Sequence, residues 1–169
     1  MHKKRHPMIF AINILLFFFS VHFYYTGILN LSIRNITPLL VLPLLTAFAI
    51  FHHPLSSSFV GLLCGIFMDS CMIGSYCFNA IILLLAGAGV SLMASNLFNK
   101  NIKATIVISL IICSVYFILQ WLFFHSGNVT FKDSLMYLFN YALPTAVYSA
   151  IFVIPFYYLY KHFNKILSE

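Results

Sequence analysis

Long apolar segments alternate with short polar ones along the chain, and this pattern predicts a bundle of membrane-crossing helices. A transmembrane helix needs about 20 consecutive, mainly apolar residues. Six segments approach that length, at positions 8–29, 32–51, 54–73, 76–98, 102–124 and 134–160. The second and third are the shortest in strictly apolar sequence, because Arg34 and the pair His52 and His53 interrupt them. They fit either short tilted spans or a pair that enters the membrane and returns.

Composition favours an integral membrane protein with one domain. The chain has 169 residues, of which 62% are hydrophobic and 7% charged, and its mean hydropathy is +0.99. Most of its surface must therefore face something other than water. No Pro/Gly/Ser-rich linker divides the sequence. We expect a single all-α transmembrane domain over residues 1–169.

The basic residues stand in small groups beside apolar segments, and this predicts both orientation and partners. With the N-terminus in the cytoplasm, seven Lys and Arg residues lie inside, while only Arg34 and Lys132 lie outside. Such a bias predicts a multi-pass protein of the plasma membrane with both termini cytoplasmic. No basic patch is interleaved with aromatics as in nucleic-acid-binding proteins, so anionic lipid headgroups are the expected partner and nucleic acid is not.

Candidate catalytic groups are scarce. The sequence contains three acidic residues and no Ser/His/Asp arrangement, phosphate-binding loop or metal-binding motif. The four cysteines form no CxxC pair, and we expect them to act as small apolar side chains (Cys64, Cys71, Cys77 and Cys113). We therefore predict no enzymatic activity and no cofactor or metal site.

A stripe of small residues runs along the third predicted span. Ser57, Gly61, Gly65 and Asp69 recur every four residues, and this spacing places them on one face of a helix. Small residues let another helix approach closely. The fourth span carries a similar stripe, so the two spans are expected to pack together (Gly87, Ser91 and Ser95).

Asp69 is the one acidic residue embedded in apolar sequence. A carboxylate inside a membrane is costly and needs a partner. Three roles fit its position near the end of the third span: a capping carboxylate, a polar contact that fixes the third span to the fourth, or a contact to a partner subunit. If hydrogen bonding is the main role, Asp69→Asn should be nearly harmless.

Two prolines in the sixth predicted span indicate a kinked or broken helix. Pro144 and Pro155 each lack a backbone donor and clash with the preceding turn. The carbonyls that they free need partners, so the kinks should face protein rather than lipid. Thr145 and Ser149 are nearby hydroxyls that would supply some of those partners.

Several motifs in order along nearly the whole chain resemble the MreD family, the membrane subunit of the bacterial rod-shape system. Beyond the short basic N-terminus, three motifs match the family pattern. They are the G-x3-G-x3-D block with a following glycine (Gly61, Gly65, Asp69 and Gly74), Ser-Asn-Leu-Phe-Asn-Lys at the end of the fourth span (residues 95–100), and Leu-Pro-Thr with a second proline in the sixth span (Pro144 and Pro155). No enzymatic residue belongs to these motifs.

This resemblance implies a non-catalytic scaffold that binds MreC and helps to couple cytoplasmic MreB filaments to the elongation machinery, RodA with its penicillin-binding transpeptidase. It also implies a six-helix fold like that of the substrate-binding subunits of energy-coupling-factor vitamin transporters. The alternative function follows from that fold: a subunit that binds a small molecule, with Asp69 and other polar residues of the outer half forming the pocket.

Overall fold

The computed structural model describes residues 5–26, 36–71, 76–96, 101–124 and 131–168, with only the backbone described for 5–13, 96, 131 and 166–168. Within these ranges the chain is almost entirely helical. The helices are α1 Arg5–Thr26, α2 Val41–Phe51, α3 Pro54–Cys71, α4 Phe78–Asn96, α5 Ile102–Phe124, α6 Phe131–Tyr137, α7 Leu143–Ile151 and α8 Val153–Ser168, and a π-helical turn, Leu138–Ala142, joins α6 to α7.

Four helical stretches are long and apolar enough to cross a membrane: Pro54–Cys71, Phe78–Ser95, Ile102–Phe124 and Lys132–Lys165. The all-helical prediction is thereby confirmed for the described residues, and the fifth predicted span coincides with α5. The other helices are α1 and the 11-residue α2. At about 1.5 Å per residue α2 is roughly 16 Å long, about half the thickness of a bilayer core.

The described helix ends fall into two groups. At one end the Tyr25 hydroxyl donates to the Met68 carbonyl at 3.5 Å, and the Asp69 carboxylate contacts the start of α4. At the other end the ring of Phe51 packs against Tyr157 with centroids 5.4 Å apart. We call these the Asp69 end and the His52 end of the bundle. The helices α3, α4 and α5 therefore alternate in direction, whereas α1 and α3, with the short α2 between them in sequence, both end at the Asp69 end.

Helix α2 is the central element of the described bundle. Ten of its eleven residues are buried, and α1, α3, α4, α5, α7 and α8 all pack against it. A helix that is apolar on every side is buried on every side, which accounts for this position. The Ser91 hydroxyl of α4 donates to the His52 carbonyl at 2.6 Å and so fixes the end of α2.

The predicted span 32–51 is wrong over residues 36–40, which are not helical. Pro38 drives the preceding residue away from helical geometry. Pro43 is tolerated because it falls in the first turn of α2, where its missing N–H would have no partner within the helix. The N–H of Leu39 instead donates to the Ser149 hydroxyl of α7 at 2.9 Å. The segment therefore enters the bundle without helical hydrogen bonds and is secured by a side chain.

The last predicted span is broken, as its prolines indicated. Pro144 is the second residue of α7, directly after the π-helical turn, and Pro155 is the third residue of α8, directly after the turn at Phe152. Pro155 thus lies in the first turn of a new helix, where it removes no helical hydrogen bond. Pro144 instead follows a continuous helical run, and the π-helical turn directly before it marks the local irregularity. The helical region also extends beyond the predicted 134–160, from Phe131 to Ser168.

Candidate functional site

The small-residue stripe of α3 packs directly on the backbone of α4. A Cβ atom on Gly61 would lie less than 3.0 Å from the Leu83 carbonyl, and one on Gly65 less than 3.0 Å from the backbone of Ala80. The contact is reciprocal, because a Cβ on Gly87 would meet the Ser57 carbonyl. The expected pairing of the third and fourth spans is confirmed, and it is antiparallel.

The rest of the predicted stripe on α4 serves other contacts. Ser91 reaches α2, whereas Ser95 is exposed and donates to the Leu92 carbonyl of its own helix at 3.0 Å. The close approach to α3 is therefore concentrated at residues 79–87 of α4. Gly89 is about 200° around the helix from Gly87 and so lies on another side of α4, where a Cβ would meet no atom within 4 Å.

The Asp69 carboxylate caps the N-terminus of α4. Its Oδ2 accepts the Ala80 N–H at 2.9 Å, and its Oδ1 accepts the Asn79 N–H at 3.2 Å. The first N–H groups of a helix have no partner within it, and the helix dipole favours a negative charge beside them. No acidic residue lies in the first turn of α4. Asp69 therefore supplies from α3 the cap that α4 lacks. It combines two of the roles that the sequence left open, the capping carboxylate and the polar contact between the third and fourth spans.

Asn79 and Tyr116 extend this contact to α5. The Asn79 amide donates to Asp69 Oδ1 at 2.9 Å, and its carbonyl oxygen accepts the Tyr116 hydroxyl at 2.6 Å. Both side chains are only 1% exposed. Because an amide has one donating and one accepting end, these two contacts fix its orientation. Asp69, Asn79 and Tyr116, which we call the capping network, thus connect three helices.

Sequence reasoning missed Asn79 and Tyr116. A signal was present, because Asn79 is a lone amide at the start of an apolar span and Tyr116 a phenol within another. Buried polar groups of this kind require partners. Their spacing along the chain does not reveal that the partners are each other.

The backbone that enters α4 is in an uncommon conformation. Tyr76 and Cys77 have φ angles of 44° and 63°, a left-handed region that non-glycine residues seldom occupy. Such a turn persists only when its surroundings hold it in place. The cap by Asp69 two residues further on provides that constraint. Gly74, which the sequence singled out at this turn, lies outside the described residues.

The hydroxyls near the prolines have different roles. Thr145 donates to the Tyr141 carbonyl one turn earlier in its own helical run, which is not the carbonyl four residues before Pro144. Ser149 accepts from Leu39 and so connects α7 to the start of α2. The broken helix therefore holds the central helix in place.

The cysteines divide into two pairs. Cys64 and Cys113 are buried, as expected of small apolar side chains, whereas Cys71 and Cys77 are exposed, so that prediction is wrong for them. The two exposed thiols stand where α3 ends and just before α4 begins.

The arrangement is suited to holding helices together. Both carboxylate oxygens of Asp69 accept hydrogen bonds from α4. The described residues contain no group of three or more His, Cys, Asp or Glu side chains that would hold a metal ion. A groove of about 550 Å³ opens between α4 and α5, with an almost wholly apolar lining that includes Phe78, Ile82 and Phe123.

No protein-family model, curated protein or solved structure matches the chain in comparisons with known proteins.

Proposed function

We propose that the protein is a non-catalytic scaffold subunit of the rod-shape type, a member of the MreD family that binds an MreC-type protein in the bacterial plasma membrane. Through that partner it would act with MreB, RodA and the penicillin-binding transpeptidase in peptidoglycan synthesis and cell shape. The observation that carries the proposal is the G-x3-G-x3-D block, whose three motif residues all serve the α3–α4 contact.

The capping network supports a scaffold rather than a catalyst. A general acid or base needs a proton-transfer atom that is free to reach a substrate. In this chain the embedded carboxylate is engaged by two backbone N–H groups and an amide. A rigid α3–α4 pair joined to α5 is the kind of surface on which another membrane helix can dock without ordering loops first.

The proposed topology has six membrane segments with both termini in the cytoplasm. The seven-to-two distribution of Lys and Arg supports it. The Asp69 end would then face outward and the His52 end inward. Lys103, Lys161 and Lys165 are exposed toward the His52 end, where they would meet anionic lipid headgroups.

The alternative is a small-molecule-binding subunit of an energy-coupling-factor transporter. The groove between α4 and α5 favours it, because its volume falls within the range of ligand sites. It ranks second because Asp69, the residue expected to bind the ligand, contacts α4 instead.

Co-purification tests the proposal. A tagged copy is expressed at native level, cross-linked in native membranes and captured in detergent. We expect capture of a single-span protein with a coiled coil on the outer side, encoded beside this chain. Recovery of an ATPase module without such a protein would transfer the assignment to the transporter subunit.

A further inference from the structure

Asn140 is an amide on the outward face of the last helical region. The exposed residues of that face recur at helical spacing (Lys132, Met136, Asn140, Val147 and Ile151). The opposite face is buried against the bundle (Ser134, Ala142, Ala146, Ser149 and Ala150). We call the exposed set the Asn140 stripe. Asn140 therefore points away from the helices that the structure describes.

The contacts of α6 show how deep Asn140 lies. The Trp121 indole N–H donates to the Ser134 carbonyl at 2.8 Å, so α6 begins alongside the last turn of α5. Asn140 is six residues further on, which is about 9 Å along the helix axis. The π-helical turn that contains Asn140 packs on α5. In the proposed topology the amide is thus well inside the hydrocarbon layer.

An amide in this position needs a partner from outside the chain. The Asn140 side chain makes no hydrogen bond to any residue in the part of the chain that the structure describes. An unpaired amide facing lipid is costly, and amides in membrane helices commonly bond across to a neighbouring helix. Tyr137 and Tyr141, whose rings stack with centroids 5.6 Å apart, are also exposed and would flank such a neighbour.

We propose that the Asn140 stripe is the contact between two copies of this chain, with the two Asn140 amides paired across a two-fold axis. An amide both donates and accepts, so an identical residue satisfies it completely. A two-fold contact brings a residue on its axis against its own copy. A single asparagine in an apolar helix interface fixes pairing in the same way.

Charge is also compatible with self-association. From Met136 to Ile151 the stripe carries no charged residue that would repel its copy. At its end stand the exposed neighbours Lys132 and Asp133, so a two-fold contact can bring the lysine of one copy to the aspartate of the other. The proposal requires that the last helix crosses a membrane, as proposed above, but it does not depend on the identity of the rod-shape partner.

Cysteine cross-linking in native membranes tests the proposal. The exposed thiols are first removed by Cys71→Ser and Cys77→Ser. Met136→Cys then places one thiol on the stripe and leaves Asn140 intact. Leu85→Cys is the matched control, since Leu85 is also apolar and 61% exposed but lies on α4. Oxidation with copper phenanthroline joins thiols that meet.

We expect a covalent dimer from Met136→Cys and almost none from Leu85→Cys. Adding Asn140→Leu should lower the dimer yield about threefold or more, and adding Asn140→Gln should preserve most of it. Both changes are on the surface, so equal abundance of the variants in the membrane confirms that they fold. The proposal is overturned if position 136 gives no dimer, cross-links only to another protein, or gives the same yield with leucine at 140. A negative result here together with capture of the single-span protein would leave the proposed function intact.

Discussion

Asp69 caps the N-terminus of α4 from a neighbouring helix. In most helices this role is filled by the side chain of the residue just before the first turn. Both carboxylate oxygens of Asp69 are used, one for Ala80 and the other for Asn79. A buried or half-buried donor that loses its acceptor costs more than the bond itself contributed. The effect of a substitution at 69 therefore depends on how many acceptor oxygens remain.

The first prediction concerns variants of Asp69. Asp69→Leu removes every acceptor and should lower the free energy of unfolding by about 1 to 3 kcal/mol. Asp69→Asn keeps one oxygen but turns an amide NH2 toward a donor, so we now expect an intermediate loss of about 1 kcal/mol rather than a nearly harmless change. Melting temperatures in detergent provide the measurement. Equal melting temperatures for all three proteins would show that the cap contributes nothing.

At this scale the sequence was informative about Asp69 and silent about its partners. A lone carboxylate in an apolar segment is visible by composition, and its place at the end of the glycine stripe indicated the fourth span. Asn79 and Tyr116 are 37 residues apart in the sequence. Only the crossing of α4 and α5 brings both of them to Asp69. That geometry is a property of the folded bundle.

At the scale of helices, α3 and α4 form the closest pair in the described structure. Backbone meets backbone at Gly61, Gly65 and Gly87, which leaves no room for a side chain. Dispersion contacts and close approach drive such pairing in membranes, where burial of apolar surface contributes little. The pair should therefore tolerate no added bulk within the contact, and should tolerate it on the side of α4 that faces away from α3.

Gly65→Leu and Gly89→Leu are the matched test of this contact. Gly65→Leu forces a side chain into the backbone of α4 and should cost about 3 kcal/mol or more. Gly89→Leu enters open space on the side of α4 away from α3 and replaces a poor helix former, so the stability of this variant should be unchanged or slightly higher. The readout is the amount of folded, monodisperse protein in size-exclusion chromatography. Similar losses for both variants would contradict the described packing.

Helix α2 depends on polar contacts at its two ends. Ser149→Ala leaves the buried Leu39 N–H without its acceptor, and should lower the free energy of unfolding by about 1 to 3 kcal/mol. The control is Ser95→Ala, which removes an exposed hydroxyl that donates within its own turn and should change stability by about 0.5 kcal/mol at most. Thermal unfolding in detergent compares them. If the serine at 149 is dispensable, the N–H of Leu39 has another acceptor.

At the scale of the whole molecule, hydropathy predicted that the chain is helical and where most helices lie. It did not predict where each helix sits in the bundle. The bounds of α5 agree because its apolar run is long and has no proline. The second span failed because hydropathy counts residues 36–40 as apolar without registering that Pro38 and Pro43 restrict where a helix starts. The central place of α2 was likewise missed, since spacing alone does not distinguish a helix surrounded by lipid from one surrounded by other helices.

Topology gives the next prediction. With both termini inside, alkaline phosphatase fused after Glu169 should be inactive, because it folds to an active state only outside the membrane. The same enzyme fused after Phe124, at the Asp69 end, should be active. Activity reversed between the two fusions would invert the orientation. Activity at both would change the number of crossings in the last region.

The central claim is that Asp69 stabilises the contact between α3 and α4 and does not itself contact a partner. Partner capture, normalised to the amount of folded protein, tests this claim most directly. Wild type, Asp69→Asn, Gly65→Leu and Gly89→Leu are each cross-linked in native membranes, and the captured single-span protein is measured per folded molecule. We expect capture per folded molecule to be equal in wild type, Asp69→Asn and Gly89→Leu, whereas Gly65→Leu should yield little folded protein. Full abundance of Asp69→Asn with loss of capture would contradict the account, because the charge itself would then be functional.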